Sequence, residues 1–178
     1  CDPAPSFSPV RDFLPASIGQ VYLFEALQLA EAPRPDDYYV LSVLNGAFGE
    51  SMSSRLFQDL RERSGLCYSV YSTFSLDRSL GLWMASASSA PRLFPRLLEG
   101  LDRQIESLAQ GGRGALTAEE IGESVSRIVG SFDLALEDPE YRMRRLARMK
   151  LCDGQVLDVE SAKDRFLKVG TAEVEELA

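Results

Sequence analysis

The strongest constraint on the fold of this chain is a helix, a glycine and an alternating strand that follow one another between residues 44 and 74. In MSSRLFQDLRERSG, residues 52–65, apolar side chains recur at helical spacing and charged ones lie between them, which predicts a helix of about three turns. Gly65 is placed to end this helix in the left-handed conformation. The next residues, LCYSVYSTF, alternate and are rich in β-branched and aromatic types, which predicts a strand.

Two further segments complete a predicted sheet. A turn around Asp77, Arg78 and Ser79 leads to LGLWMASAS, which we expect to pair with the preceding strand as an antiparallel hairpin. An earlier run, Gln20 to Ala30, predicts a strand that is buried on one face and largely on the other. After Pro33 and Pro35, Asp36 is a candidate N-cap for a buried helix that extends to about Phe48.

The second half of the sequence is predicted to be helical. Leucine and isoleucine recur at helical spacing from Leu93 to Leu108, and Gly111 and Gly112 end that pattern. Thr117 and Glu120 match a capping box at the start of the next helix. Further helices are predicted from Asp138 to about Cys152 and over residues 158–168 and 171–177. Together these elements predict an α+β fold with a mostly antiparallel sheet covered by helices.

The predicted domain organisation is a linker followed by one domain. The chain has 178 residues and begins with Cys1 and several prolines, so residues 1–18 are expected to be a linker from a preceding domain and residues 19–178 a single α+β domain. We therefore expect a piece of a longer protein. A mature lipoprotein, which also begins with Cys, is the alternative explanation of this start.

Composition excludes several classes of function. The chain contains no histidine, so it cannot by itself form a Ser-His-Asp or Cys-His nucleophile system or a His-ligated zinc site. Its net charge of −8 argues against nucleic acid as a partner, since nucleic-acid affinity comes from Lys and Arg. No run approaches a membrane span. The 3 widely spaced cysteines favour a reducing compartment, so we expect a cytoplasmic location and no metal site in this chain.

Several conspicuous residues have ordinary structural explanations. The carboxylate pairs Asp36-Asp37 and Glu119-Glu120 lie at helix starts, where negative charge meets the helix dipole. Cys67 lies in the predicted strand without a histidine neighbour, so core packing is expected. One basic cluster predicts a solvated face or a surface that pairs with an acidic partner, and its members are Arg142, Arg144, Arg145, Arg148 and Lys150.

Arg61 and Tyr68 are the candidate functional residues. Arg61 lies in the last turn of the predicted helix and Tyr68 early in the next strand. Both side chains carry donors suited to a peptide carbonyl or the oxyanion derived from it. Spacing alone favours the more ordinary explanation, an arginine that pairs with the helix dipole and a tyrosine in the core.

The same segment resembles the pitrilysin/insulinase-type zinc metallopeptidases, which include mitochondrial processing peptidase and the core proteins of the respiratory cytochrome bc complex. The resemblance rests on L-N-x-x-x-G before M-S-S-R-L-F-Q-x-L-R-E, followed by G-L-x-Y-S-V-Y-S. It implies a fold of two similar α+β halves around a chamber. The first half holds zinc with an H-x-x-E-H motif and a distal Glu, and this chain is similar to the zinc-free second half.

The resemblance implies a role for each candidate residue. Arg61 and Tyr68 match the Arg and Tyr that donate hydrogen bonds to the substrate main chain near the scissile carbonyl in active relatives. This chain is thus expected to be the substrate-binding C-terminal domain of a zinc metalloendopeptidase, inactive alone, with zinc bound by a partner half on the same or another chain. It departs from the family at Gly49-Glu50-Ser51, where a glycine run is common, and at Cys67, which is often Ala.

Two alternatives remain open at this point. The same fold serves as a non-catalytic scaffold or assembly subunit in some family members. The other alternative is an unrelated acidic α+β interaction module, which would require the match over residues 44–74 to be a coincidence.

Overall fold

The computed structural model of the protein describes residue 8 and residues 10–29, 33–77, 79–154 and 156–177. It confirms the predicted α+β class, with a three-stranded antiparallel sheet and a larger helical part. The strands are β1 (Val21–Gln28), β2 (Ser69–Leu76) and β3 (Gly81–Ser89). The α-helices are α1 (Asp37–Asn45), α2 (Phe94–Gln110), α3 (Ala118–Ala135), α4 (Pro139–Arg148), α5 (Val159–Leu167) and α6 (Thr171–Leu177).

The sheet has the order β1-β3-β2, so the predicted hairpin of β2 and β3 is confirmed and β1 joins its far side. Val21 lies opposite Ser89, and Ser69 lies opposite Ser88. This register directs Val70, Trp83, Ala85 and Ala87 towards the helices. The inward face of the sheet therefore forms one wall of the hydrophobic core.

The core lies between this face and the helices. Phe48 packs against Trp83 with ring centroids 5.7 Å apart. Leu97 and Leu101 of α2 are fully buried in the same cluster. Helices from the whole length of the chain thus cover a single face of the sheet.

The prediction that the first strand is buried largely on both faces is wrong. Tyr22 and Phe24, which alternate with the inward side chains of β1, are largely exposed. The helices cover only one face of the sheet and β1 is an edge strand, so apolar residues on its other face are left accessible. Apolar character alone could not distinguish this strand from a buried one.

The start of α1 also differs from its prediction. Asp36 occupies the N-cap position but its side chain makes no cap hydrogen bond. Instead, Arg165 Nη1 of α5 donates to Asp36 Oδ1 at 2.5 Å, and the backbone N–H of Arg34 donates to Asp37 Oδ2 at 2.7 Å. The two carboxylates are therefore engaged in structural contacts, in agreement with the explanation given from sequence.

A short helix follows α1 and precedes β2. After α1 the chain continues as a π-helical turn, Gly46–Glu50, and the next helical residues are Arg55 and Leu56, followed by the π-helical segment Phe57–Arg63. We call residues 55–63 the short helix. Gly65 has a φ of 58°, which confirms the predicted left-handed stop.

The short helix begins three residues later than predicted, at Arg55 instead of Met52. The strand that follows also begins later than predicted. Its first residue is Ser69, so Cys67 and Tyr68 lie directly before β2 and not within it.

The helices of the second half agree with the sequence pattern. Thr117 and Glu120 form both hydrogen bonds of a capping box at the start of α3. Asp138 caps α4 by accepting a hydrogen bond from the backbone N–H of Glu140. After α4 the chain continues as a π-helical turn, Met149–Asp153. A 3₁₀ turn, Pro91–Leu93, precedes α2, and another, Gly112–Gly114, follows it.

Candidate functional site

Arg61 and Tyr68 lie side by side on the surface. The chain reverses at Gly65, where the backbone N–H of Gly65 donates to the Arg61 carbonyl at 3.1 Å and that of Leu66 donates to the Leu60 carbonyl at 2.9 Å. The backbone N–H of Tyr68 then donates to the Ser88 carbonyl at 2.8 Å. This path places the Arg61 Cζ 5.8 Å from the centre of the Tyr68 ring. The structure thus brings the two sequence-predicted residues together.

The donors of both side chains face solvent. The Arg61 side chain is 41% exposed, and Tyr68 is 72% exposed. Arg61 Nε lies 3.8 Å from Glu62 Oε1, which is beyond hydrogen-bond distance. Within the described ranges, neither the Arg61 guanidinium nor the Tyr68 hydroxyl makes a hydrogen bond to another residue. The pair can therefore donate hydrogen bonds to an acceptor from outside the chain.

Phe57 is a third member of this group, and sequence reasoning assigned it only to the apolar stripe of the helix. The Arg61 Cζ lies over its ring at 4.7 Å from the centroid. The available signal was the spacing, because an aromatic residue and an arginine four positions apart meet on one side of a helix. Phe57, Arg61 and Tyr68 together are called the Arg61 cluster below.

Cys67 is adjacent to the Arg61 cluster but is unsuited to act as a nucleophile. It is half-buried and packs against the core. Burial raises the pKa of its thiol to about 11, and the nearby charge of Arg61 offsets only part of that effect. The thiol is therefore protonated near neutral pH, which supports the packing role expected from sequence.

The turn before the short helix is held by its own side chains. Asn45 Nδ2 donates to Glu50 Oε2 at 3.3 Å, and Ser51 Oγ donates to the Gly46 carbonyl at 3.4 Å. From the sheet, Ser72 Oγ donates to the buried Asn45 Oδ1 at 2.6 Å. These bonds join the turn to α1 and to β2, so Glu50 and Ser51, which depart from the family pattern, fix its shape.

Arg55 anchors the first turn of the short helix to α3. Its Nε and Nη2 donate to the Glu120 carboxylate at 2.9 and 2.6 Å, and its Nη1 and Nη2 donate to the carbonyls of Gly114 and Ala115 at 2.5 and 2.8 Å. Burial acts to raise the pKa of Glu120, but the hydrogen bonds from Arg55 and Thr117 outweigh it and lower that pKa. Glu120 thus has a structural role, as its position at a helix start indicated.

The basic cluster of α4 lies mostly on a solvated face. Arg144 pairs with Glu140 at 2.6 Å. Arg145 lies over the Phe132 ring at 5.4 Å, and Arg148 lies over the Tyr38 ring at 4.7 Å. The predicted solvated face is confirmed, and the acidic partner stays a prediction.

The described part of the chain contains no cluster of metal-ligating side chains. It contains no histidine, and among the described residues no group of three or more Cys, Asp and Glu side chains is placed to hold a metal ion. In the described part of the chain, no helix is both long and apolar enough to cross a membrane.

Known proteins contain domains that are similar to this chain in sequence. The family model described as the peptidase M16 inactive domain matches residues 16–128. An uncharacterized zinc protease of Streptomyces coelicolor is 36% identical over 140 residues, which are 79% of this chain and 30% of the relative. The chain therefore spans about a third of the length of the curated relatives it matches.

Solved structures share the fold. The peptidase M16 inactive domain from Pseudomonas fluorescens has a TM-score of 0.77 at 20% identity, over 88% of this chain and 37% of that one. A chain of complex III from Candida albicans has a TM-score of 0.67 at 13% identity, over 90% of this chain and 39% of that one. At these identities the likeness concerns the fold alone.

Proposed function

Because the chain belongs to the peptidase M16 family, as its inactive domain, we propose that it is the substrate-binding half of a zinc metalloendopeptidase. The family match confirms the resemblance drawn from residues 44–74. It also shows that the alternative of an unrelated acidic interaction module is wrong. The activity of the whole protein and its peptide substrate are part of the proposal.

The observation that carries the proposal is the pairing of Arg61 with Tyr68 on an accessible surface. An arginine at a helix C-terminus usually pairs with the dipole or a carboxylate, and a tyrosine before a strand usually packs inward. Here both side chains are exposed, adjacent and without a hydrogen bond to the described residues. Ring contacts with Phe57 and Tyr68 and a 3.8 Å ion pair with Glu62 engage the guanidinium, and its N–H donors stay available to an acceptor from outside the described residues.

The chemistry of the pair suits the binding of a peptide carbonyl. The guanidinium stays protonated at every relevant pH and presents several N–H donors in a fixed fork. The Tyr68 hydroxyl adds a neutral donor. When a carbonyl oxygen gains negative charge during peptide hydrolysis, donors aimed at it stabilise the transition state more than the ground state. Arg61 and Tyr68 would hold the substrate main chain and that oxygen.

The remaining components belong to a second half of the enzyme. Zinc, its bound water and the general base would come from an H-x-x-E-H domain on the same polypeptide or on a partner chain. The chain alone is therefore inactive in this proposal. A cytoplasmic location is proposed from cysteine usage, and nucleic acid is not expected as a partner because the net charge is −8.

A scaffold or assembly subunit is the second candidate function. It is favoured by the likeness of the fold to a chain of complex III from Candida albicans. In that case Arg61 and Tyr68 would have no role in peptide hydrolysis, and their substitution would leave any peptidase activity of the whole protein unchanged.

Substitution in the assembled enzyme, this chain together with its zinc-bearing half, tests the proposal. Arg61→Ala and Tyr68→Phe are each expected to lower kcat/KM by about tenfold or more, a lower bound set below the loss of about a hundredfold to a thousandfold that is typical of a missing oxyanion donor. Arg63→Ala is the matched control, because Arg63 lies on the same helix and pairs with Asp59. Parental turnover by both Arg61→Ala and Tyr68→Phe would show that this role is wrong.

A further inference from the structure

Arg61 lies close to two aromatic rings. Its Cζ lies 4.7 Å from the centre of the Phe57 ring and 5.8 Å from that of the Tyr68 ring. Both distances are within the range of a cation–π interaction. The two rings come from different parts of the chain, one from the short helix and one from the segment after Gly65.

The two rings differ in how firmly they are fixed. Phe57 is half-buried and packs against the hydrophobic core, whereas Tyr68 is 72% exposed. Phe57 also lies in the same π-helical segment as Arg61, four residues before it. π-helical turns are rare in proteins and occur frequently at functional sites. Phe57 is thus the fixed support of the guanidinium, and Tyr68 is its accessible neighbour.

No carboxylate among the described residues forms a hydrogen bond to the Arg61 guanidinium. Asp59, two residues before Arg61, pairs with Arg63 instead and accepts a hydrogen bond from Gln104 Nε2 at 2.8 Å. Glu62 is 3.8 Å from Arg61 Nε, too far for a hydrogen bond. A carboxylate partner would occupy the N–H donors of Arg61, whereas an aromatic face contacts the plane of the guanidinium and leaves those donors available.

We propose that Phe57 is a positioning residue, which holds the Arg61 guanidinium by its ring so that the N–H donors stay directed outward to the substrate. This inference rests on the proposed function of Arg61. It assigns Phe57 a role that requires an aromatic face and not merely apolar volume. Leu and Met supply comparable apolar contact with the core but no such face, whereas Tyr retains it.

The test is a double-mutant cycle in the assembled enzyme, with Phe57→Leu, Arg61→Ala and the double variant. Phe57→Leu is expected to lower kcat by about threefold to tenfold with KM within about twofold, from the usual strength of a cation–π contact. Phe57→Tyr is expected to retain parental kcat. The double variant is expected to be no slower than Arg61→Ala, because the ring acts through the guanidinium.

Each contrary result has a separate meaning. If Arg61→Ala is impaired but Phe57→Leu is not, the positioning role is wrong and the proposed function stands. If the double variant is slower than Arg61→Ala by the full factor of Phe57→Leu, the ring acts independently of Arg61 and the inference is overturned. If Arg61→Ala itself is unimpaired, the proposed function fails, and the positioning role fails with it. Phe57→Met replaces Phe57→Leu if the latter does not fold, and the same outcomes apply.

Discussion

Gly49, in the π-helical turn before the short helix, has no room for an added methyl group. A Cβ added at Gly49 would lie 2.7 Å from Ser72 Cβ and 3.0 Å from Leu56 Cδ1, with Ser72 Oγ closer still. These atoms belong to a strand and to the short helix, and all three residues are buried. Gly49→Ala therefore forces two packed elements apart.

The expected cost has two parts. Inserting a methyl group into a packed core costs about 1–3 kcal/mol. Moving Ser72 also breaks its hydrogen bond to the buried Asn45 Oδ1, which leaves a buried acceptor without its donor and costs about 1–3 kcal/mol more. The total of about 2–6 kcal/mol is a large part of the free energy of unfolding of an ordinary domain, about 5–15 kcal/mol.

Urea unfolding followed by the fluorescence of Trp83, the only tryptophan, measures this cost. Gly122→Ala is the matched control, because no atom lies within 4 Å of the Cβ added there, and a helical Gly→Ala change is expected to stabilise by up to about 1 kcal/mol. In a Ser72→Gly background the cost of Gly49→Ala should fall, since both Ser72 atoms that block the added Cβ are gone and only Leu56 Cδ1 remains close. An unchanged cost in that background, or no cost in the parent, would refute the steric argument.

Three further predictions concern stability and reactivity. Glu120→Gln should lower the free energy of unfolding near neutral pH. This loss should shrink as the pH falls below 4.5, the ordinary pKa of a glutamate, because the ionised carboxylate stabilises the fold only above its lowered pKa. A loss that does not depend on pH would contradict this. Alkylation of Cys67 at pH 8, followed by mass spectrometry, should be about a hundredfold slower in the native chain than in urea. Folding raises the thiol pKa from 9.0 to about 11, which lowers the fraction of reactive thiolate. Equal rates would contradict this. Gly65→Ala should lower the free energy of unfolding in urea by about 1–2 kcal/mol. No atom blocks the added Cβ, but the φ of 58° strains any residue other than glycine. Unchanged stability would contradict this.

Sequence patterns predicted the elements that depend on contacts between residues close together in the chain. The capping box of Thr117 and Glu120 joins residues three positions apart, and the left-handed stop at Gly65 depends on one backbone conformation. The β2–β3 hairpin was indicated by alternation on both sides of a short turn. In each case the determining contacts lie within a few residues, so a sequence pattern contains them.

The arrangement of the site depends on contacts that no local pattern contains. Ser72 and Asn45 are 27 residues apart, and Arg55 reaches Glu120 across 65 residues. Asp36 was predicted as a cap, but an arginine 129 residues away binds its side chain. Periodicity likewise placed Tyr68 within the strand, whereas β2 begins one residue later, at Ser69. The family resemblance, and not periodicity, selected Arg61 and Tyr68.

In the proposed enzyme, this chain supplies substrate-binding groups to a zinc-bearing half. The direct measurement is peptide hydrolysis by each half alone and by the two together at equal concentration, with the Arg61→Ala form of this chain as the matched comparison. We expect no hydrolysis by this chain alone, hydrolysis by the two halves together, and a rate about tenfold or more lower with the Arg61→Ala form. Equal hydrolysis by the zinc-bearing half with and without this chain would contradict this expectation.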